Sequence, residues 1–229
     1  MFNRLKPLAA LIATALMSTG ALAATQTLDA GNYSITYDDA ALGKFGVLIP
    51  TASGISFAPS GDGFSVESFS GPKTVKSIVA LTIAADAGYT LTGFSLSEQG
   101  SYLKFGDGSQ VTAGGNLTVQ DLVNTSASVT KQLVVSAPLT DSTTFEDFVS
   151  SPWTASAAAQ LGTTTATVSI YNMLGAWGVS ANDGYATIGK SNVVLDISVV
   201  AVPEPQSLAM LLAGLGIVGA MARRRRIGA

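Results

Sequence analysis

Apolar residues recur at every second position over most of the chain, the signature of strands buried on one face. Tyr33, Ile35 and Tyr37 share a face within residues 32–37, and Val75, Val79, Leu81 and Ile83 share one in the next clear strand. Val129, Leu133 and Val135 mark another. Val193, Leu195, Ile197 and Val199 line the last, with Asn192, Asp196 and Ser198 opposite. Between Tyr89 and Leu96 the apolar set moves from odd positions (Tyr89, Leu91) to even ones (Phe94, Leu96). One inserted residue at Gly93 would produce that switch, as a β-bulge does. Glu98 to Phe105 then reads as the second strand of a hairpin.

Gly61-Asp62-Gly63, Gly106-Asp107-Gly108, Gly114-Gly115-Asn116 and Asn182-Asp183-Gly184 supply residues that tolerate positive φ, so each reads as a turn. Strands separated by such turns predict an all-β fold, an antiparallel β-sandwich whose topology, jelly-roll-like or Ig-like, the pattern leaves open. The expected interruption is 142–160, with a short helix over Thr144–Phe148 and a loop or second helical turn over Ala155–Gln160. The threonine-rich run from Thr163 leads into Val168–Tyr171 and reads as an exposed strand.

The two ends break the alternation. Residues 1–23 place Arg4 and Lys6 before an apolar stretch from Leu8 to Met17 and finish on Ala21-Leu22-Ala23. That is the layout of a secretory signal peptide, an expected N-terminal signal helix cut between Ala23 and Ala24. At the other end, Pro203 and Pro205 each fix φ and lack an N–H, so an arriving strand stops there and Pro203-Glu204-Pro205 is held extended. Leu208 to Ala222 carries no charge and leads into Arg223, Arg224, Arg225 and Arg226. A single C-terminal transmembrane helix with the arginines on the cytoplasmic side is expected, which leaves everything before Pro203 outside. The division is then a signal peptide at 1–23, an exported β-sandwich domain at 24–201 and a tail at 202–229.

In order, Val202-Pro203-Glu204-Pro205, the apolar run and the arginine cluster resemble the PEP-CTERM sorting signal of exported proteins in Gram-negative, exopolysaccharide-producing bacteria. The resemblance implies that Pro203, Glu204 and Pro205 are the recognition motif of exosortase, a membrane transpeptidase-like protease, and that Arg223 to Arg226 are the cytoplasmic stop. It further implies a transient stay in the inner membrane, removal of the tail, and delivery of the body to the cell surface or extracellular matrix, with extracellular polysaccharide as a candidate partner. An aromatic residue common shortly after the second proline is absent here, where Gln206-Ser207-Leu208 follows; this bears on which enzyme variant reads the tail. The region 89–105 resembles one frequent in the bodies of such proteins.

The chemistry left to the body is narrow. The chain has no histidine and no cysteine, which removes Ser-His-Asp triads, cysteine nucleophiles and thiolate or imidazole metal sites. Stability without disulfides rests on burial and hydrogen bonding. Between 24 and 202 six basic residues stand against fourteen acids, a net charge of −8 that the whole-chain value of −3 hides. That balance argues against nucleic acid or anionic polysaccharide as an electrostatically recruited partner. Glu146 with Asp147, or Glu67 with Glu98, could be imagined as a glycosidase pair, but no spacing singles them out. Asp107, Ser109, Asn182 and Asp183 offer oxygen donors for calcium, yet each Gly-Asp-Gly is satisfied as a turn. The expectation is a non-enzymatic surface or matrix protein with no metal and no cofactor. Two alternatives stand beside it: a carbohydrate-binding or carbohydrate-active domain, favoured by a groove holding Trp153 and Trp177, and a permanently anchored periplasmic protein.

Overall fold

A strand with one apolar face must bury it against another, and in this chain the faces close on each other as two antiparallel sheets. The structure is a computed structural model and describes residues 25–59, 63–180, 183–203 and 210–218. Its strands are β1 (Thr25–Asp29), β2 (Tyr33–Asp38), β3 (Val47–Pro50), β4 (Gly54–Ala58), β5 (Ser65–Ser68), β6 (Gly71–Ala85), β7 (Tyr89–Phe105), β8 (Gln110–Asp121), β9 (Ser128–Gln132), β10 (Val134–Val135), β11 (Ser151–Thr163), β12 (Thr165–Gly178) and β13 (Tyr185–Ala201). One sheet runs β1-β2-β6-β12-β8-β9; the other runs β10-β11-β7-β13-β4-β3, with β5 also beside β13. Ile35, Leu81, Ile83, Val168 and Ile170 from the first meet Leu91, Phe94, Leu96, Val193 and Leu195 from the second in one core.

The strands expected at 32–37, 75–83 and 193–199 are present, with the expected faces buried. So is the face switch near Gly93. The pairing of β7 slips against both neighbours between Leu91 and Gly93, so that Leu91 and Phe94, three apart, both point inward. A second slip in β13 leaves Ser191 between Lys190 and Asn192 and re-phases that strand in the same way.

Six expectations are corrected. Residues 89–105 are one strand and no hairpin, because inward positions continue without a break through Phe94, Leu96, Glu98 and Tyr102. Val129 and Val135 lie on different sheets, β9 pairing with β8 and β10 with β11, while Leu133 dips into the core between them. Gly114-Gly115-Asn116 is no turn but the middle of β8, where Gly115 lies so close to β12 that a Cβ would stand 2.2 Å from the carbonyl oxygen of Tyr171. Residues 155–160 are neither loop nor helix. They belong to β11, with Ala155, Ala157 and Ala159 inward. Thr144–Phe148 makes only one turn, and the run after Thr163 is a central strand with Val168 and Ile170 fully buried.

Of the expected tail helix the structure describes residues 210–218, which are helical. Among the described residues no helix is long and apolar enough to cross a membrane. The remainder of the expected span, the signal helix with Ala21, Ala23 and Ala24, the motif residues Glu204 and Pro205, and Arg223 to Arg226 lie outside the described residues.

Candidate functional site

β13 sits beside β7 in the second sheet and runs to Ala201 without loss of pairing: Val199 faces Leu91, Val200 faces Thr90, Ala201 faces Tyr89. One more backbone bond, from the N–H of Val202 to the carbonyl oxygen of Gly88 at 2.7 Å, ties the strand to the body. Pro203 follows, exposed, with no N–H to continue the ladder. The described pairing of the body therefore reaches Val202, next to Pro203. Beyond it, Met210, Leu211, Leu212, Leu215, Ile217 and Val218 are all exposed, an uncovered apolar surface.

A second feature lies at one end of the sandwich, where the β7–β8 and β12–β13 turns meet the β5–β6 connection and the long β10–β11 loop. There a cleft of about 910 Å³ opens between Phe69, Phe105, Phe145, Asp107 and Asp183. Of its lining rings Phe69, Phe105 and Phe145, each packs on a further aromatic ring. Phe105 packs on Phe145 at 5.7 Å, on Phe148 at 5.9 Å and on Tyr185 at 5.5 Å, and Phe69 closes on Tyr185 at 4.6 Å. Phe69, Phe145 and Phe148 are more than half exposed, so the rings present faces to solvent. The loop that carries two of them is pinned: Thr143 donates its N–H to the Lys104 carbonyl, and the Thr143 hydroxyl accepts from Val149 N–H at 3.2 Å. Phe148 itself takes a φ of 46°, an unfavourable conformation that holds its ring against Tyr185. The Tyr185 hydroxyl donates to Glu67 at 3.0 Å, and burial first, then this carboxylate, push its pKa up.

The residues singled out from the sequence are scattered by this geometry. Asp107 and Asp183, two of the calcium candidates, do line one cleft; Ser109 is buried, and Asn182 lies outside the described residues. Among the described residues no group of three or more acids is placed to hold a metal ion. Trp153 is buried and donates its indole N–H to the Gly189 carbonyl at 3.1 Å, whereas Trp177 is about half exposed and outside the cleft wall. Glu146 is exposed, and Asp147 accepts from the Thr144 hydroxyl in the surface loop. Glu67 and Glu98 form no pair: one reaches Tyr185, the other is in the core.

Glu98 has buried partners that alternation alone could not reveal. It bridges Lys190 on the adjacent strand and Asn172 on the opposite sheet, accepting from Asn172 Nδ2 at 2.5 Å and from Lys190 Nζ in a still closer contact. All three are buried, with Asn172 fully so. Burial pulls the Lys190 pKa below the usual lysine range, and the Glu98 charge and hydrogen bond only partly oppose it. Lys190 Nζ lies 4.8 Å from the centre of the Phe64 ring and 5.8 Å from that of Trp153.

Taken together, these features define a body of two antiparallel sheets with an aromatic end, followed by a carboxyl-terminal tail. That tail carries a known signal: residues 201–226 match the family model of the PEP-CTERM protein-sorting motif, and the motif implies exosortase-dependent sorting of an exported protein. Nothing matches the chain among the curated proteins or among the solved structures.

Proposed function

We propose that this is a non-enzymatic exported protein whose tail is read and removed by exosortase, and whose β-sandwich then serves at the cell surface or in the extracellular matrix. The observation that carries this reading is the junction at Val202. The last described backbone bond of the body, at Val202, stands next to Pro203, so a cut in the Pro-Glu-Pro region costs the sandwich none of its described pairing. Lipid is the proposed cover for the exposed apolar segment 210–218, with 208–222 as the full inserted stretch and Arg223 to Arg226 holding it from the cytoplasmic side.

The aromatic cleft favours a second reading of the same body as a carbohydrate-binding module. Exposed ring faces flanked by Asp107 and Asp183 suit the apolar faces and hydroxyls of sugar rings, and the net negative body suits a neutral polymer better than an anionic one.

Mass spectrometry of the surface-delivered protein tests the proposal. A carboxyl terminus near Pro203–Pro205 is expected; a mature species intact through Ala229 would make the protein a permanently anchored one. Replacing Pro203, Glu204 and Pro205 by alanine should leave the body folded and trapped at the inner membrane, and unchanged surface delivery would refute the assignment of the motif.

A further inference from the structure

We propose that Lys190 and Asn172 form an intramolecular isopeptide bond that covalently joins the two sheets, with Glu98 moving the protons. The three groups meet in the core from β13, β12 and β7, and one carboxylate touches both the amine and the carboxamide. Holding nucleophile and electrophile on a common partner in a rigid interior converts a slow bimolecular amidation into an intramolecular one.

The chemistry balances with what is present. As Lys190 Nζ attacks Cγ of Asn172, it gives up two protons. Glu98 relays one through its carboxyl group to Nδ2, which departs as ammonia, and keeps the other. The Nζ–Cγ bond forms, the Cγ–Nδ2 bond breaks, and no oxidant or reductant is required. The charged lysine and carboxylate become a neutral amide and a neutral acid.

Several surroundings favour that direction. The lysine's pKa is lowered by burial, which raises the share of free amine that can attack. The rings of Phe64 and Trp153 wall the amine from water, so hydrolysis does not compete. Asn172 Oδ1 is buried without a hydrogen-bond partner. In the product, the acid proton left on Glu98 supplies a donor for the new amide, and the expense of a buried ion pair is gone. Gly115 makes room for that oxygen, since a Cβ there would lie 2.6 Å from it. The bulge at Ser191 sets Lys190 inward just where the strand changes phase. A chain without cysteine, read as exported, has no disulfide to serve the same end.

Intact-mass measurement of the purified, folded full chain under denaturing conditions tests this without any variant. The expected mass is one ammonia below that of the sequence after allowance for processed ends, with a branched peptide joining the Lys190 and Asn172 segments after digestion. Lys190→Arg keeps a cation beside Glu98 but removes the nucleophile; it should restore the full mass, and its fold is checked by circular dichroism. Glu98→Gln should likewise lose the branched peptide. Wild-type protein that keeps its full mass after prolonged incubation at neutral pH would overturn the proposal. So would an ammonia loss that maps to another asparagine or to a terminal glutamine.

Discussion

Trp153 lies across the position where Gly100 would carry a side chain. A Cβ on Gly100 would stand 2.7 Å from the indole nitrogen and 2.0 Å from the Gly189 carbonyl oxygen, the atom to which that nitrogen donates. The Gly189 carbonyl belongs to a strand hydrogen-bonded to β7 and cannot move without parting the sheet, and the indole can move only by giving up its bond to that carbonyl. Gly100→Ala is therefore expected to cost at least the ~1–3 kcal/mol typical of overpacking. Urea denaturation followed by tryptophan fluorescence would measure it, and a variant as stable as the parent would show that the indole has room to swing aside.

The junction at Val202 yields a prediction about truncation. A chain ended after Val202 keeps every strand pair and should match the full protein's stability within about 0.5 kcal/mol. A chain ended after Ser198 loses the pairing of Val199, Val200 and Ala201 and the Val202 bond. At about 0.5–1.5 kcal/mol net per hydrogen bond, it should unfold at clearly lower denaturant concentration. Equal midpoints for the two truncations would mean that the body ends earlier than its last strand.

How much of this was readable in the residues depends on what each element buries. Strands with large aliphatic inward residues, such as β6 and β13, announce themselves, and the Leu91–Phe94 phase change even reveals its bulge. β11 does not over 155–160, because its inward residues there are alanines and alternate with serine, alanine and glutamine of little contrast. Glu98 misled the hairpin reading for a different reason: a carboxylate reads as a surface or turn residue unless its partners are known, and Lys190 and Asn172 are far away in sequence. The sorting tail was legible because its motif is contiguous. The aromatic cleft was not, since Phe69, Phe105, Phe145 and Tyr185 converge only through the sheet topology.

If the cleft is where the body meets its matrix, Phe145 and Phe105 should behave differently. Phe145 is 76% exposed and touches the floor on one side, so Phe145→Ala is expected to change stability by less than about 1 kcal/mol while weakening retention at the surface. Phe105 is buried under three other rings, and Phe105→Ala should cost ~3–5 kcal/mol. Fractionation of cells expressing Phe145→Ala checks the first, and denaturation of Phe105→Ala the second. Undiminished retention of the Phe145 variant would detach the cleft from matrix contact.

Asp121 gives a pH dependence with a definite sign. Its carboxylate caps the turn between β8 and β9, accepting from Val123 N–H at 2.7 Å and Asn124 N–H at 3.1 Å. The Asn124 N–H is the largest influence, opposed by desolvation and supported by Val123 N–H and the Thr163 hydroxyl, and the net effect holds the pKa below the usual aspartate range. The unfolded chain thus takes up the proton at higher pH than the folded one. The contribution of Asp121 is fully present above about pH 4 and is lost as pH falls through the lowered folded value. Asp121→Asn keeps an oxygen acceptor but no charge, so it should be less stable than the parent at pH 7 and the difference should shrink steadily in acid. Denaturation midpoints from pH 7 down to pH 2 would show the two curves converging; curves that stay parallel would mean that the charge of Asp121 adds nothing to the turn.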